Sequence, residues 1–163
     1  MSLDALVRTA ERAVTETGEF LRSLSSNERG VAATEIGGRE VKLHADRRAH
    51  DRLSELLASS GVPVVSEEDK TSHGVNLDEV WVVDPLDGSY NFSRELGRSV
   101  VSCAYVVNGS PVLGALYDLV DASIYVGGRD DPSRRNGRSI SCSSVARLDD
   151  AVLCTGFPAR FSF

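Results

Sequence analysis

Two apolar, β-branched runs that each lead straight into acidic residues constrain this 163-residue chain more than any other feature. The longer run, Val80 to Val83, has the composition of a short buried strand, and Asp84-Pro85 follows it. Pro85 has no amide hydrogen and fixes its own φ, so the chain is expected to turn there and carry Asp87 back towards Asp84. Gly88 then permits a tight turn, and Ser89 to Phe92 are placed to start a short helix whose first amides face the same region. The other run, Val62-Pro63-Val64-Val65, leads into Ser66-Glu67-Glu68-Asp69. Asp-Pro and Asp-Gly pairs alone are common turn formers. Two strands that both end in carboxylates are a constellation: such oxygens suit a hard cation, the nearby helix-start amides suit an anion, and a metal-bridged phosphate needs both.

The rest of the chain supplies a scaffold for that pair. Leu3, Leu6, Val7, Ala10, Val14 and Leu21 recur at helical spacing, which predicts one amphipathic helix over residues 2–24. Ser25 to Gly38 reads as a break around Val31 to Thr34, marked by Ser25-Ser26-Asn27 and by Gly37-Gly38. Ala49, Leu53, Leu56 and Leu57 then predict a helix from about Arg47 to Ser59, with Asp46 placed to cap it. Ser99 to Val107, Val112 to Asp118 and Ala122 to Val126 read as strands, the first two joined through a two-residue Asn108-Gly109 turn. Asp118 and Asp121 are read as turn residues. Asn136-Gly137 marks another turn before a strand at Ser139 to Cys142, and Leu148 to Thr155 is expected to add one more. The fold class expected is α+β: two N-terminal helices packed on one face of a largely antiparallel sheet.

Composition narrows the partners. The formal net charge of -6 disfavours a nucleic-acid backbone or an anionic membrane, and Arg134, Arg135 and Arg138 are read as a solvated basic loop. Cys103, Cys142 and Cys154 are odd in number, lack metal-site spacing and fall in strand-like segments, so buried free thiols are expected. No leader-like segment opens the chain and no apolar run approaches bilayer-spanning length, which implies a cytoplasmic location.

Asp84-Pro85-Leu86-Asp87-Gly88-Ser89-Tyr90-Asn91-Phe92, with Glu67-Glu68 upstream, resembles the signature of the inositol monophosphatase family, the magnesium-dependent, lithium-sensitive phosphatases. It differs from the family pattern in Ser89 for Thr and Ser66 for Gly, and Val41 to Asp46 lacks the usual Thr. The resemblance implies hydrolysis of a phosphate monoester by metal-activated water. Glu67, Asp84, Asp87 and the Leu86 carbonyl would hold Mg2+ ions, for which Mn2+ can substitute. Glu67 and Ser89 would orient the water, Asp46 would contact the Ser89 hydroxyl, and the amides of Gly88 and Ser89 would grip the phosphate. Asp46 thus has two readings, helix cap and hydroxyl partner. Glu68, pointing away from Glu67 in an extended segment, would stand behind the ligands. The loop Asp69 to Asp78 would lie near the site. His44 and His50 match no family role and are expected at the surface or a helix start.

Family members also carry a second α/β portion with a Trp-Asp-x-Ala-Ala-Gly-like motif, which nothing after Phe157 matches. Residues 1–163 are therefore expected to form a single N-terminal domain. A sheet surface left uncovered would favour a homo-oligomer. The substrate implied is a small phosphorylated molecule, with inositol, sugar and nucleotide phosphates all open. Two other readings stand beside the phosphatase: a catalytically incomplete metal- or partner-binding module, and one subunit of a split enzyme.

Overall fold

A computed structural model describes residues 1–29, 44–69 and 78–154, with the side chains of residues 26 and 27 set aside. Helix α1 (Leu3–Ser23) begins where the Ser2 hydroxyl accepts a hydrogen bond from the Ala5 amide. Its apolar face, including Leu6, Ala10, Val14 and Leu21, is buried against the sheet. Gly18 lies on that face, where a Cβ would fall 2.1 Å from a Tyr117 ring carbon. Gly18→Ala should therefore lower stability by about 1–3 kcal/mol through overpacking, although alanine is the better helix former. A urea midpoint unchanged by Gly18→Ala would mean that α1 does not press this closely on Tyr117.

The break expected after α1 contains one helical turn, α2 (Ser26–Arg29). Glu28 stabilises it by accepting from both the amide and the hydroxyl of Ser25, at 3.0 and 2.8 Å. Gly37-Gly38, Val31 to Thr34 and Val41 to Leu43 lie outside the described residues. Helix α3 (His44–Ala58) starts earlier than its apolar spacing predicts, so Asp46 is not the cap but sits inside the first turn. Its carboxylate accepts the Ser89 hydroxyl at 2.7 Å. Asp46 is buried on the same side of the helix as Ala45, Ala49, Leu53 and Leu57.

The sheet runs in sequence order: β1 (Val64–Ser66), β2 (Glu79–Asp87), β3 (Val100–Val107), β4 (Ser110–Asp118), β5 (Ile124–Gly128), β6 (Arg134–Arg135) and β7 (Arg138–Ser139). Among the described residues only the β1–β2 pair is parallel; the other pairs are antiparallel. Asn108 and Gly109 both have positive φ, 49° and 73°, as do Asn136 and Gly137, and this is the backbone that a two-residue hairpin requires. Alternation sorts the two faces. Trp81, Val83, Val101, Tyr105, Leu113 and Tyr117 pack under α1 and α3 and form the core. Trp81 is fully buried, and its indole donates to Ser60 Oγ at 3.0 Å. Fold class is therefore α+β, with the two long helices on one side of a largely antiparallel sheet.

The expectations fail towards the end of the chain. The strand expected at Ser139 to Cys142 shrinks to β7, and a 3-10 turn at Leu148–Asp150 stands where Leu148 to Thr155 was expected to be strand. Among the described residues no further strand pairs with this segment, and Ile140, Val145, Leu148, Val152 and Leu153 are exposed. Cys103 is buried as expected, and burial pushes its thiol up to about 12. Cys142 and Cys154 are exposed, against expectation, because the strands that would have buried them do not form. Thr155 to Phe163 lie outside the described residues.

Candidate active site

The parallel register between β1 and β2 builds the site. Val65 pairs with Val82 and Ser66 with Val83, so the next residue on each strand is an acid, Glu67 beside Asp84. The Glu67 amide donates to the Val83 carbonyl at 3.1 Å, which carries the pairing one step past β1. Glu67 and Glu68 occupy the turn closing β1 rather than an extended segment. Glu67 is exposed on the face away from the helices, and Glu68 is half-buried.

Pro85 does not end the strand. Strand β2 continues to Asp87, with Asp84 opposite Ser102 and Asp87 opposite Val100, so one extra residue is accommodated in a bulge. A proline fits there because a bulged residue need not donate to the ladder. The bulge is braced by the Leu86 amide, which donates to Asp84 Oδ1 at 3.1 Å. Gly88 follows with φ 81°, and a Cβ there would meet the Arg98 carbonyl oxygen at 3.1 Å, so glycine is required on both counts. Helix α4 (Ser89–Arg94) then begins.

Asp84 and Glu67 are close enough to share a hydrogen bond. Burial and that bond raise the Asp84 carboxyl to about 7, with the Glu67 charge and, last, the Asp87 charge adding to the effect and the Leu86 amide opposing it. Across the bulge, Ser89 Oγ lies 2.7 Å from Asp46 Oδ1 and 2.8 Å from the Leu86 carbonyl oxygen. Its single proton serves one acceptor at a time. Sequence positions 46, 67, 84, 86 and 89 are thus brought into two touching pairs, Glu67 with Asp84 and Asp46 with Ser89, with the Leu86 carbonyl joined to the second. Asp87 is exposed and reaches Asp84 through charge alone. Among the described residues no three His, Cys, Asp or Glu side chains form a ready metal cluster. The donor chemistry nevertheless fits a hard dication: two carboxylates pressed together, a third acid biasing the same spot, and a peptide carbonyl beside them.

A residue pair not anticipated from sequence lies behind this arrangement. His50, expected at the surface, has a side chain only 16% exposed, and its Nδ1 is 2.9 Å from Ser66 Oγ. The signal available was its spacing, four residues after Asp46 and hence on the same side of α3.

The model of the inositol monophosphatase family matches residues 2–160. The chain belongs to the inositol monophosphatase family. Curated family relatives include Nus factor SuhB of Escherichia coli strain K12, 26% identical over 157 residues that make up 95% of this chain and 59% of the relative. SuhB of Haemophilus influenzae is 23% identical over 160 residues, 97% of this chain and 60% of its own length. The chain therefore spans about three-fifths of the curated relatives it matches. Among solved structures of the family fold, extragenic suppressor protein SuhB from Bartonella henselae superposes with a TM-score of 0.77 at 24% identity, covering 90% of this chain and 57% of that one. CysQ from Bacteroides thetaiotaomicron gives a TM-score of 0.68 at 27% identity, covering 93% and 54%.

Proposed function

We propose that this chain supplies the metal-holding part of a Mg2+-dependent phosphatase acting on small phosphate monoesters. The observation that carries the reading is the pairing of Glu67 with Asp84 at the end of a parallel register, where burial and the neighbouring Glu67 raise the Asp84 carboxyl to about 7. Glu67, Asp84, Asp87 and the Leu86 carbonyl would hold the metal; Mn2+ would fit the same oxygens. Bound there, Mg2+ would neutralise the phosphate charge and make water a better nucleophile. Ser89, its proton held by Asp46, would accept a hydrogen bond from the attacking water and, with Glu67, aim it at phosphorus. The amides of Gly88 and Ser89 would receive phosphate oxygens. No covalent enzyme intermediate is required.

The site is completed, in this reading, by a C-terminal portion of the kind that the family resemblance implies, since the matched residues make up 59% of a curated relative. Its place is the sheet face away from the helices, where a groove of about 740 Å3 is lined by Val82, Leu116, Tyr125 and Ile140 and bordered by Glu67 and Asp84. Val82 and Leu116 are exposed there, unusually for mid-strand apolar residues. Without that portion the same face would favour the self-association expected from sequence. A second reading, a protein-binding module, is favoured by the name Nus factor that the curated relatives carry and by the exposed Val152 and Leu153.

The test is phosphate release from a panel of inositol, sugar and nucleotide monophosphates. The 163-residue chain, alone and joined to a relative's C-terminal portion, would be assayed with and without Mg2+. Strictly Mg2+-dependent hydrolysis by the joined protein, with little by the chain alone, is expected. A joined protein that loads metal yet hydrolyses nothing would sink the phosphatase reading and leave the binding module.

A further inference from the structure

Helix α3 carries Asp46 and His50 one turn apart on one side, and each reaches a different part of the acidic site. Asp46 holds Ser89 and so fixes the loop that follows Asp84 and Asp87. His50 reaches the other acidic segment. Its Nδ1 meets Ser66 Oγ at 2.9 Å, and Ser66, only 3% exposed, is the residue directly before Glu67. The Ser66 oxygen also receives the Glu68 amide at 3.3 Å, while the Ser66 carbonyl receives the Asp69 amide at 3.1 Å. Asp69 in turn places Oδ1 3.7 Å from His50 Nε2, an electrostatic contact too long for a hydrogen bond.

These contacts have a consistent direction. With the ring proton on Nε2, facing Asp69, Nδ1 accepts from the Ser66 hydroxyl and the Ser66 oxygen accepts from the Glu68 amide. The turn over residues 66–69 is thereby tied to α3 at both ends, with Glu67 at its apex pointing to Asp84. The residue types Asp, His and Ser could suggest a nucleophilic triad. Ser66, however, is buried, and its oxygen is already engaged by the Glu68 amide, which makes it an anchor rather than a nucleophile.

We propose that His50 is a positioning residue for Glu67: acting through Ser66, it locks the turn that presents the Glu67 carboxylate to the metal site. Helix α3 is then a spacer that sets the distance between the two acidic motifs, with Asp46 gripping one and His50 the other. The same pairing gives a physical use to the serine that stands before Glu67 where glycine is usual. A glycine would leave the turn freer and offer His50 no hydroxyl.

The inference rests on the metal reading, so its test has one arm with metal and one without. Amide hydrogen exchange on the metal-free chain should show residues 67–69 exchanging at least about tenfold faster in His50→Ala than in the unaltered chain. Calorimetric titration with Mn2+ should show affinity reduced about 10- to 100-fold, the usual cost of removing a group that orients a ligand. His50→Asn, whose side-chain amide can reach Ser66 Oγ, should restore most of both. In a Ser66→Ala background, His50→Ala should add nothing further, because its route is already cut. The inference is overturned if His50→Ala changes neither readout, if asparagine rescues neither, or if the loss persists undiminished in the Ser66→Ala background. Should His50→Ala fail to fold, Ser66→Ala decides alone: it must loosen residues 67–69, and unchanged exchange there refutes the proposal. An unaltered chain that takes up no Mn2+ would defeat the metal reading, and the exchange arm would still decide the positioning role.

Discussion

Asp87→Asn should remove most of the Mg2+-dependent hydrolysis of the completed protein, about 100-fold or more in initial rate of phosphate release. The amide keeps the shape of the side chain and loses the charge. Charge stabilisation through a held metal is commonly worth several kcal/mol of barrier, and about 2.7 kcal/mol already corresponds to 100-fold. Asp87 is exposed and reaches Asp84 only through its charge, so neutralising it should leave the fold intact. Ser89→Ala should cost less, since the carboxylates and the Leu86 carbonyl remain when the orienting hydroxyl and its bond to Asp46 are gone. A Ser89→Ala loss exceeding that of Asp87→Asn would move the burden of catalysis from the carboxylates to the hydroxyl.

Asp84→Asn should have opposite effects on stability and on metal binding. In the metal-free fold Asp84 keeps its proton up to about pH 7, against an ordinary value of 3.8, because it is partly buried and faces Glu67. Folding therefore takes up a proton between those values. The stability attached to the protonated form is complete below about pH 4 and is lost as the pH rises through about 7. The thermal midpoint of the metal-free chain should fall over that window. Asp84→Asn cannot ionise, so it should flatten the fall and melt above the unaltered chain at about pH 8. Added Mn2+ should reverse the order, raising the midpoint of the unaltered chain by mass action and leaving that of Asp84→Asn in place. A metal-free Asp84→Asn that melts lower at every pH would mean that the two acids do not repel as described.

Local chemistry made much of the fold readable. Asn108-Gly109 announced its hairpin because both residues accept positive φ, and the apolar stripe from Leu6 to Leu21 announced α1 because one face had to be buried. The acid-ended runs pointed to the site because a parallel register places successive residues side by side, which sets Glu67 against Asp84. The features that escaped depend on contacts distant in the chain. Pro85 reads as a strand stop until β3 is seen to absorb it in a bulge. Asp46 keeps two readings, helix cap and partner of the Ser89 hydroxyl, until the fold sets its carboxylate on that hydroxyl, and His50 reads as a residue of the surface or a helix start until Ser66 is placed beside it. The apolar residues from Ile140 to Leu153 have strand composition but pair with no strand among the described residues, so composition alone gave the wrong element.

The central claim, that this chain's own acids build a hard-cation site, is tested most directly by calorimetric titration of Mn2+ into the purified 163-residue chain and into Asp84→Asn combined with Asp87→Asn. Weak but saturable binding by the unaltered chain, preferring Mg2+ and Mn2+ to Zn2+ and lost in the double variant, is the expected result. Binding undiminished by the two substitutions would place the metal elsewhere, and no binding at all would contradict the account.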